Sequence, residues 1–150
     1  MKSELVKTII PFVDLRAQYE SIREEIQEAI NRVLETSQFI LGEEVEAFEE
    51  NFAAFSGTRC AVAVNSGTSA LYLALLGLGV GPGDEVITVS HTFVATAEAI
   101  SWTGARPVFA ESEEETFGLD FEDVKRRITP KTRAIIPLHY GGCLSRDIKK

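Results

Sequence analysis

Basic charge is scarce in this sequence: 15 lysines and arginines stand against 23 aspartates and glutamates, a net charge of −8. A chain with that balance neutralises few phosphates, so no nucleic-acid partner is expected. Cysteine is nearly missing as well. Two cysteines, Cys60 and Cys143, are too few for a disulfide framework, and no CxxC or cysteine–histidine spacing points to a metal such as zinc. Cys60 heads an apolar run and is expected to be a small buried thiol. A reducing cytoplasm is the compartment that this usage fits. Long apolar runs are absent too. Leu71 to Val80 is broken by glycines and falls far short of the roughly 20 residues that span a bilayer. The opening MKSELVKTIIPFVDL is too short and interrupted in its apolar part for a signal peptide, so no membrane partner is expected. There is no GxxxxGKS or GxxxxGKT loop, no GxGxxG and no GxSxG. A nucleotide-binding α/β domain and a serine hydrolase therefore have little support.

What is present is the composition of a globular protein, 45% apolar and 25% charged over 150 residues, long enough to bury a core. Leu15, Tyr19, Ile22, Ile26, Ile30, Val33 and Leu34 recur in steps of three and four behind Asp14, which predicts a long helix with Asp14 as its N-cap. After a break at Ser37 to Gly42, a second helix carries the stripe Val45, Phe48, Phe52 and Phe55, predicted to be core or interface, and Gly57 is its expected stop. The rhythm then changes, dividing the chain into an N-terminal helical segment, 1–57, and an α/β segment, 58–150. CAVAV, EVITV, PVFA and AIIPLH read as strands, with helices over Ser69 to Leu78, Phe93 to Thr103 and Phe121 to Ile128 between them. Three successive β-α-β units predict a parallel sheet covered by helices with right-handed crossovers.

Ligands of such sheets gather at the carboxyl ends of the strands, where NSGTS, SHTFVAT, the acidic loop near Glu111 and HYGG fall. In NSGTS a strand leads through Gly67 into a helix start. Unpaired N–H groups and the hydroxyls of Ser66, Thr68 and Ser69 could hold a phosphate or carboxylate, or Ser66 or Thr68 could merely cap the helix. Phe93 could stack on a flat ligand or plug the core. His91 alone reads as a loop residue or cap, and His139 as a satisfied structural histidine. The run ESEEE, Glu111 to Glu115, reads as a solvated acidic loop in preference to a divalent-metal site. Lys125, Arg126, Arg127, Lys131 and Arg133 read as a solvated helix end that suits the dipole.

Taken in order, PFVDLRAQY, FILGEEVEAFEENFAAFSG, AVAVNSGTSALYLAL, GVGPGDEVITVSHTFVATAEAI, GARPVFAE and ITPKTRAIIPLHYGG make a chain that resembles the DegT/StrS-type sugar aminotransferases from about Pro11 to Gly142. The resemblance implies the aspartate-aminotransferase-like fold, a three-layer α/β/α arrangement with a mainly parallel sheet. Residues 58–150 would then be the N-terminal part of the large cofactor-binding domain. It implies pyridoxal 5'-phosphate as cofactor, with Gly67, Thr68 and Ser69 at the turn that binds its phosphate and Phe93 stacked on its ring. His91 would lie beside the substrate pocket.

The same resemblance implies a nucleotide-linked keto sugar as substrate and glutamate as amino donor, in amino-sugar, polysaccharide or antibiotic biosynthesis. It also implies a homodimer whose interface lies near the Asp14-Leu15 opening and FILGEEV. The family's Schiff-base lysine, the aspartate on the pyridine nitrogen and the glutamine near the ring hydroxyl all lie beyond HYGG. None of Lys125, Lys131, Lys149 and Lys150 matches that lysine, so no catalytic residue is assigned and the chain alone is expected to be an inactive N-terminal part. A pyridoxamine-dependent sugar dehydratase of the same superfamily and a non-catalytic remnant that binds a phosphate compound are the alternatives.

Overall fold

The computed structural model describes residues 11–146. The reading of the first ten residues as lacking a signal peptide lies outside them, as do Lys149 and Lys150. The chain divides into two compact units, one ending at Ala63 and the other beginning at Val64.

In the first unit, α1 spans Leu15–Thr36, and Asp14 caps it by accepting the Ala17 N–H at 2.9 Å. The helix is kinked at Ile22 and ends on Ser37 in a left-handed conformation. Helix α2 spans Glu43–Ser56 and stops at Gly57, whose φ of 66° suits glycine best. Its first turn carries Glu43, Glu44 and Glu46, which favour the positive end of the helix dipole, and Glu44 pairs with Arg32 of α1 at 2.8 Å. Phe48, Phe52 and Phe55 touch one another, with ring centroids 5.6 and 6.4 Å apart. They are not core residues of this unit. Phe55 is 88% exposed, only Ala53 of α2 is buried, and no residue of α1 is.

The second unit carries the core. Its order is α3 (Gly67–Gly77), β1 (Glu85–Val89), α4 (Ala95–Trp102), β2 (Arg106–Ala110), α5 (Phe121–Arg127), β3 (Thr132–Ile136) and a 3-10 turn at Tyr140–Gly142. The three strands form a parallel sheet in the order β2-β1-β3. All five residues of β1 are buried, as a central parallel strand requires. Alternation sends Val86 to one face, where Leu75, Val80, Ile100 and Ala105 meet it. Ile87 and Val89 go to the other face, against Ala110, Leu119 and Val124. Helices α3 and α4 thus cover one face and α5 the other, the three-layer α/β/α arrangement. The chain steps from β1 to β2 through α4, then back across β1 to β3 through α5. Reversing both direction and face keeps the hand of the crossover constant, as right-twisted strands demand.

Two expectations are corrected. CAVAV does not form a strand: residues 60–64 take no ladder partner among the described residues. An apolar extended segment becomes a strand only when a neighbouring edge accepts its backbone, and none of the three described strands pairs with this one. Among the described residues two β-α-β units are therefore present, not three, and Cys60 is exposed, not buried. The last predicted strand is shifted. It starts at Thr132 and ends at Ile136, because Pro137 has no N–H to continue the ladder. Among the described residues no helix is long and apolar enough to cross a membrane.

Candidate functional site

Leu75, late in α3, and Val80 of the seven-residue connection share a cluster with Val86 at the start of β1, so the helix runs antiparallel to that strand. Eleven helical residues at about 1.5 Å and five strand residues at about 3.3 Å have nearly equal lengths. The N-terminus of α3 therefore points to the edge where the strands end. Ser66 sits there in extended backbone as the N-cap. Its Oγ accepts the Ser69 N–H at 3.1 Å and donates to Ser69 Oγ at 3.1 Å, and its carbonyl accepts the Ala70 N–H at 3.0 Å. The cap is thus real, and it uses one of the four free N–H groups of the helix end, that of Ser69; the Ala70 bond is the first of the helix itself. Among the described residues nothing accepts from Gly67 N–H or Thr68 N–H, and a Cβ on Gly67 would meet nothing within 4 Å. Capping and anion binding were posed as alternatives. Here they divide the donors of one helix end between them.

The loop after β1 presents His91 and Phe93. Phe93 is 76% exposed and so is no core plug. Thr92 and Thr96 join their hydroxyls at 3.0 Å, which fixes the turn into α4. The loop after β2 is a small hairpin closed by an antiparallel bridge between Ser112 and Leu119. Within it the Glu113 carboxylate accepts the Thr116 N–H at 2.8 Å and the Thr116 hydroxyl, and these bonds hold it below the usual carboxylate range. Glu115 pairs with Arg146. The acidic run is thus part hairpin staple and part ion pair, and less solvated than its composition suggests.

Asp123, buried on α5, anchors the base of this hairpin. Its Oδ2 accepts the Glu111 N–H at 2.8 Å and Arg127 Nε at 2.5 Å, and its Oδ1 accepts Arg126 at 3.0 Å. Arg127 first, then the Glu111 amide, lower its pKa from 3.8 to about 2. Two of the basic residues assigned to a solvated helix end are therefore partners of a buried carboxylate. After β3, His139 is exposed, yet its Nδ1 accepts the Ser145 N–H at 3.0 Å. Ser145 in turn packs so closely on Gly118 that a Cβ there would lie 2.7 Å from Ser145 Oγ.

Residues 20–150 match the DegT/DnrJ/EryC1/StrS aminotransferase family. The chain belongs to that family. Over 142 residues it is 51% identical to the dTDP-3-amino-3,4,6-trideoxy-alpha-D-glucose transaminase of Streptomyces venezuelae, covering 95% of this chain and 38% of that one. Among solved structures it resembles S. venezuelae DesV in complex with a ketimine intermediate, with a TM-score of 0.86 and 51% identity over 91% of this chain and 37% of that one. It also resembles NtdA from Bacillus subtilis with bound cofactor PMP, with a TM-score of 0.85 and 33% identity over 94% of this chain and 33% of the other. The chain thus spans between a third and two fifths of the length of these relatives.

In this family member the second unit brings the start of α3, His91 and Phe93 to one edge of the sheet. Contacts of His91 run elsewhere than to Phe93: its ring meets Tyr140 at 4.8 Å and Phe117 at 6.1 Å, and these two meet at 5.6 Å. Neither Phe117 nor Tyr140 was singled out from the sequence. Their position in loops that follow parallel strands was the available signal, since every such loop opens on the same edge.

Proposed function

We propose that this chain is the phosphate-binding part of a pyridoxal 5'-phosphate-dependent aminotransferase that moves an amino group, from glutamate, onto a nucleotide-linked keto sugar. The setting would be amino-sugar, polysaccharide or antibiotic biosynthesis, in a cytoplasmic homodimer with no nucleic-acid or membrane partner. The observation that carries the reading is the partly used helix end at Ser66–Ser69, in a chain 51% identical to a nucleotide-sugar transaminase. The residues present fit the cofactor. Gly67 and Thr68 have N–H groups to donate, Gly67 leaves room for close approach, and Phe93 offers an exposed face.

When bound, the cofactor supplies an electron sink for chemistry at the amino-bearing carbon. The task of this chain is to hold and orient it. The Gly67 and Thr68 amides and the Thr68 and Ser69 hydroxyls would bind the phosphate, with the dipole of α3 favouring its charge. Phe93 would set the plane of the ring, and His91 would face the sugar. No catalytic lysine is assigned to the described residues: Lys125 is occupied with Glu122 at 3.1 Å and lies over the Phe121 ring.

Thr68→Leu tests the cradle. Losing charge-assisted hydrogen bonds and adding bulk should weaken pyridoxal phosphate binding by roughly 10- to 100-fold, read by titrating cofactor absorbance in the protein. Unchanged affinity would remove the phosphate site from this turn.

A further inference from the structure

We propose that Phe117 and Tyr140 are positioning residues for His91, and that the three rings form one aromatic wall that fixes the imidazole at the strand-end edge. The inference rests on the reading above, in which His91 faces the substrate. Each ring comes from a different loop: His91 follows β1, Phe117 follows β2 and Tyr140 follows β3. The centroid distances of 4.8, 5.6 and 6.1 Å, tilted at 47° to 65°, are those of edge and offset aromatic contacts. Phe117 and Tyr140 are 49% and 46% exposed, so the rings are not there to fill the core.

The backbone on either side is built to present them. Phe117 stands at a φ of 57°, a left-handed conformation that a bulky side chain rarely adopts. It is held there by its N–H on the Glu113 carbonyl at 3.1 Å, inside the hairpin that Glu113 staples and Asp123 anchors. Tyr140 opens the 3-10 turn, and the segment around it is closed by the Ser145 N–H on His139 Nδ1, with Ser145 packed against Gly118, the residue after Phe117. The loops after β2 and β3 are therefore locked to each other, and together they present two ring faces to His91. Strain of this kind persists where surrounding contacts over-determine it, and such places cluster at ligand-binding edges. An imidazole wedged between two rings has fewer orientations to lose when a ligand arrives, which improves affinity without a new contact.

The sequence has two histidines, His91 and His139, so imidazole carbon-bound proton resonances separate the two roles directly. In the pyridoxal phosphate-loaded protein, His91 signals should be displaced by ring currents and should move again on titration with UDP-N-acetylglucosamine, the probe for a nucleotide-linked sugar. Tyr140→Ala should return the His91 signals toward random-coil positions and weaken the probe roughly 3- to 10-fold. Tyr140→Phe should restore both, and Phe117→Leu should fall between. His139 signals, which report the Ser145 bond, should stay in place and show that the loop is folded. A wild-type His91 without ring-current displacement would overturn the wall. Equal probe affinity in Tyr140→Ala, with His91 released, would overturn positioning alone and leave the proposed function standing. A probe that binds without moving His91, or does not bind, would overturn the proposed placement of the substrate and the inference with it.

Discussion

Asp123 shows how much one side chain organises here. Its carboxylate joins α5 to the residue that follows β2 through the Glu111 N–H, and when ionised it also pairs with Arg126 and Arg127 of its own helix. With a folded pKa of about 2 against an ordinary 3.8, the group contributes stability that is fully present above 3.8 and is lost as the pH falls toward 2. Asp123→Asn keeps an oxygen for the Glu111 N–H but leaves both guanidinium groups without their charge partner. The variant should melt below the wild type at neutral pH, with the gap closing as the pH drops from 3.8 to about 2. A melting series by circular dichroism across that window checks it, and a gap independent of pH would mean that the ion pairs contribute nothing. Glu85 behaves in the same sense at the other edge of the sheet: Arg106 at 2.6 Å and the Thr129 hydroxyl at 2.8 Å hold it below the usual range.

At the scale of the element, the ends of the helices were readable because caps are local. Asp14 and Gly57 stand where a start and a stop were expected, each through its own side chain or backbone, and Gly104 follows directly on the Thr103 end of its predicted helix. Gly104 adds a tertiary constraint to the local one. Its φ is 84°, and a Cβ would lie 2.8 Å from Pro82 Cγ. Gly104→Ala therefore combines a left-handed penalty of about 1–2 kcal/mol with overpacking of about 1–3 kcal/mol. Urea denaturation should show a lower midpoint with an unchanged slope. A loss below about 1 kcal/mol would mean that the turn between α4 and β2 relaxes away from Pro82. Strands were less readable than caps. EVITV, PVFA and the body of AIIPLH were found because their apolar runs are continuous, but CAVAV has the same signature and takes no partner. A ladder is made by two segments, and only one of them is visible in a local window.

For the whole molecule, burial is concentrated in the second unit. Every residue of β1 is buried, whereas α1 has none buried and α2 one. Local stability follows buried apolar contact. In the 150-residue chain, hydrogen exchange should be slowest at β1, intermediate in α4, and fastest in α1. Equal protection of α1 and β1 by mass spectrometry would show that the first unit is covered in solution, with a second copy as the natural candidate given its exposed phenylalanines.

The succession of the helices and of the three paired strands, the caps at Asp14 and Gly57, the parallel character of the sheet and the candidate turn at Gly67, Thr68 and Ser69 were determined by the sequence itself. Each depends on periodicity or on residues adjacent along the chain. Tertiary structure alone decided the sharing of donors at the start of α3, the exposure of Cys60, the partners of Asp123 and the meeting of His91 with Phe117 and Tyr140. Those rings are 26 and 49 positions from His91 in sequence. They meet because parallel strands bring every following loop to one edge, a fact of topology that no local window of residues contains.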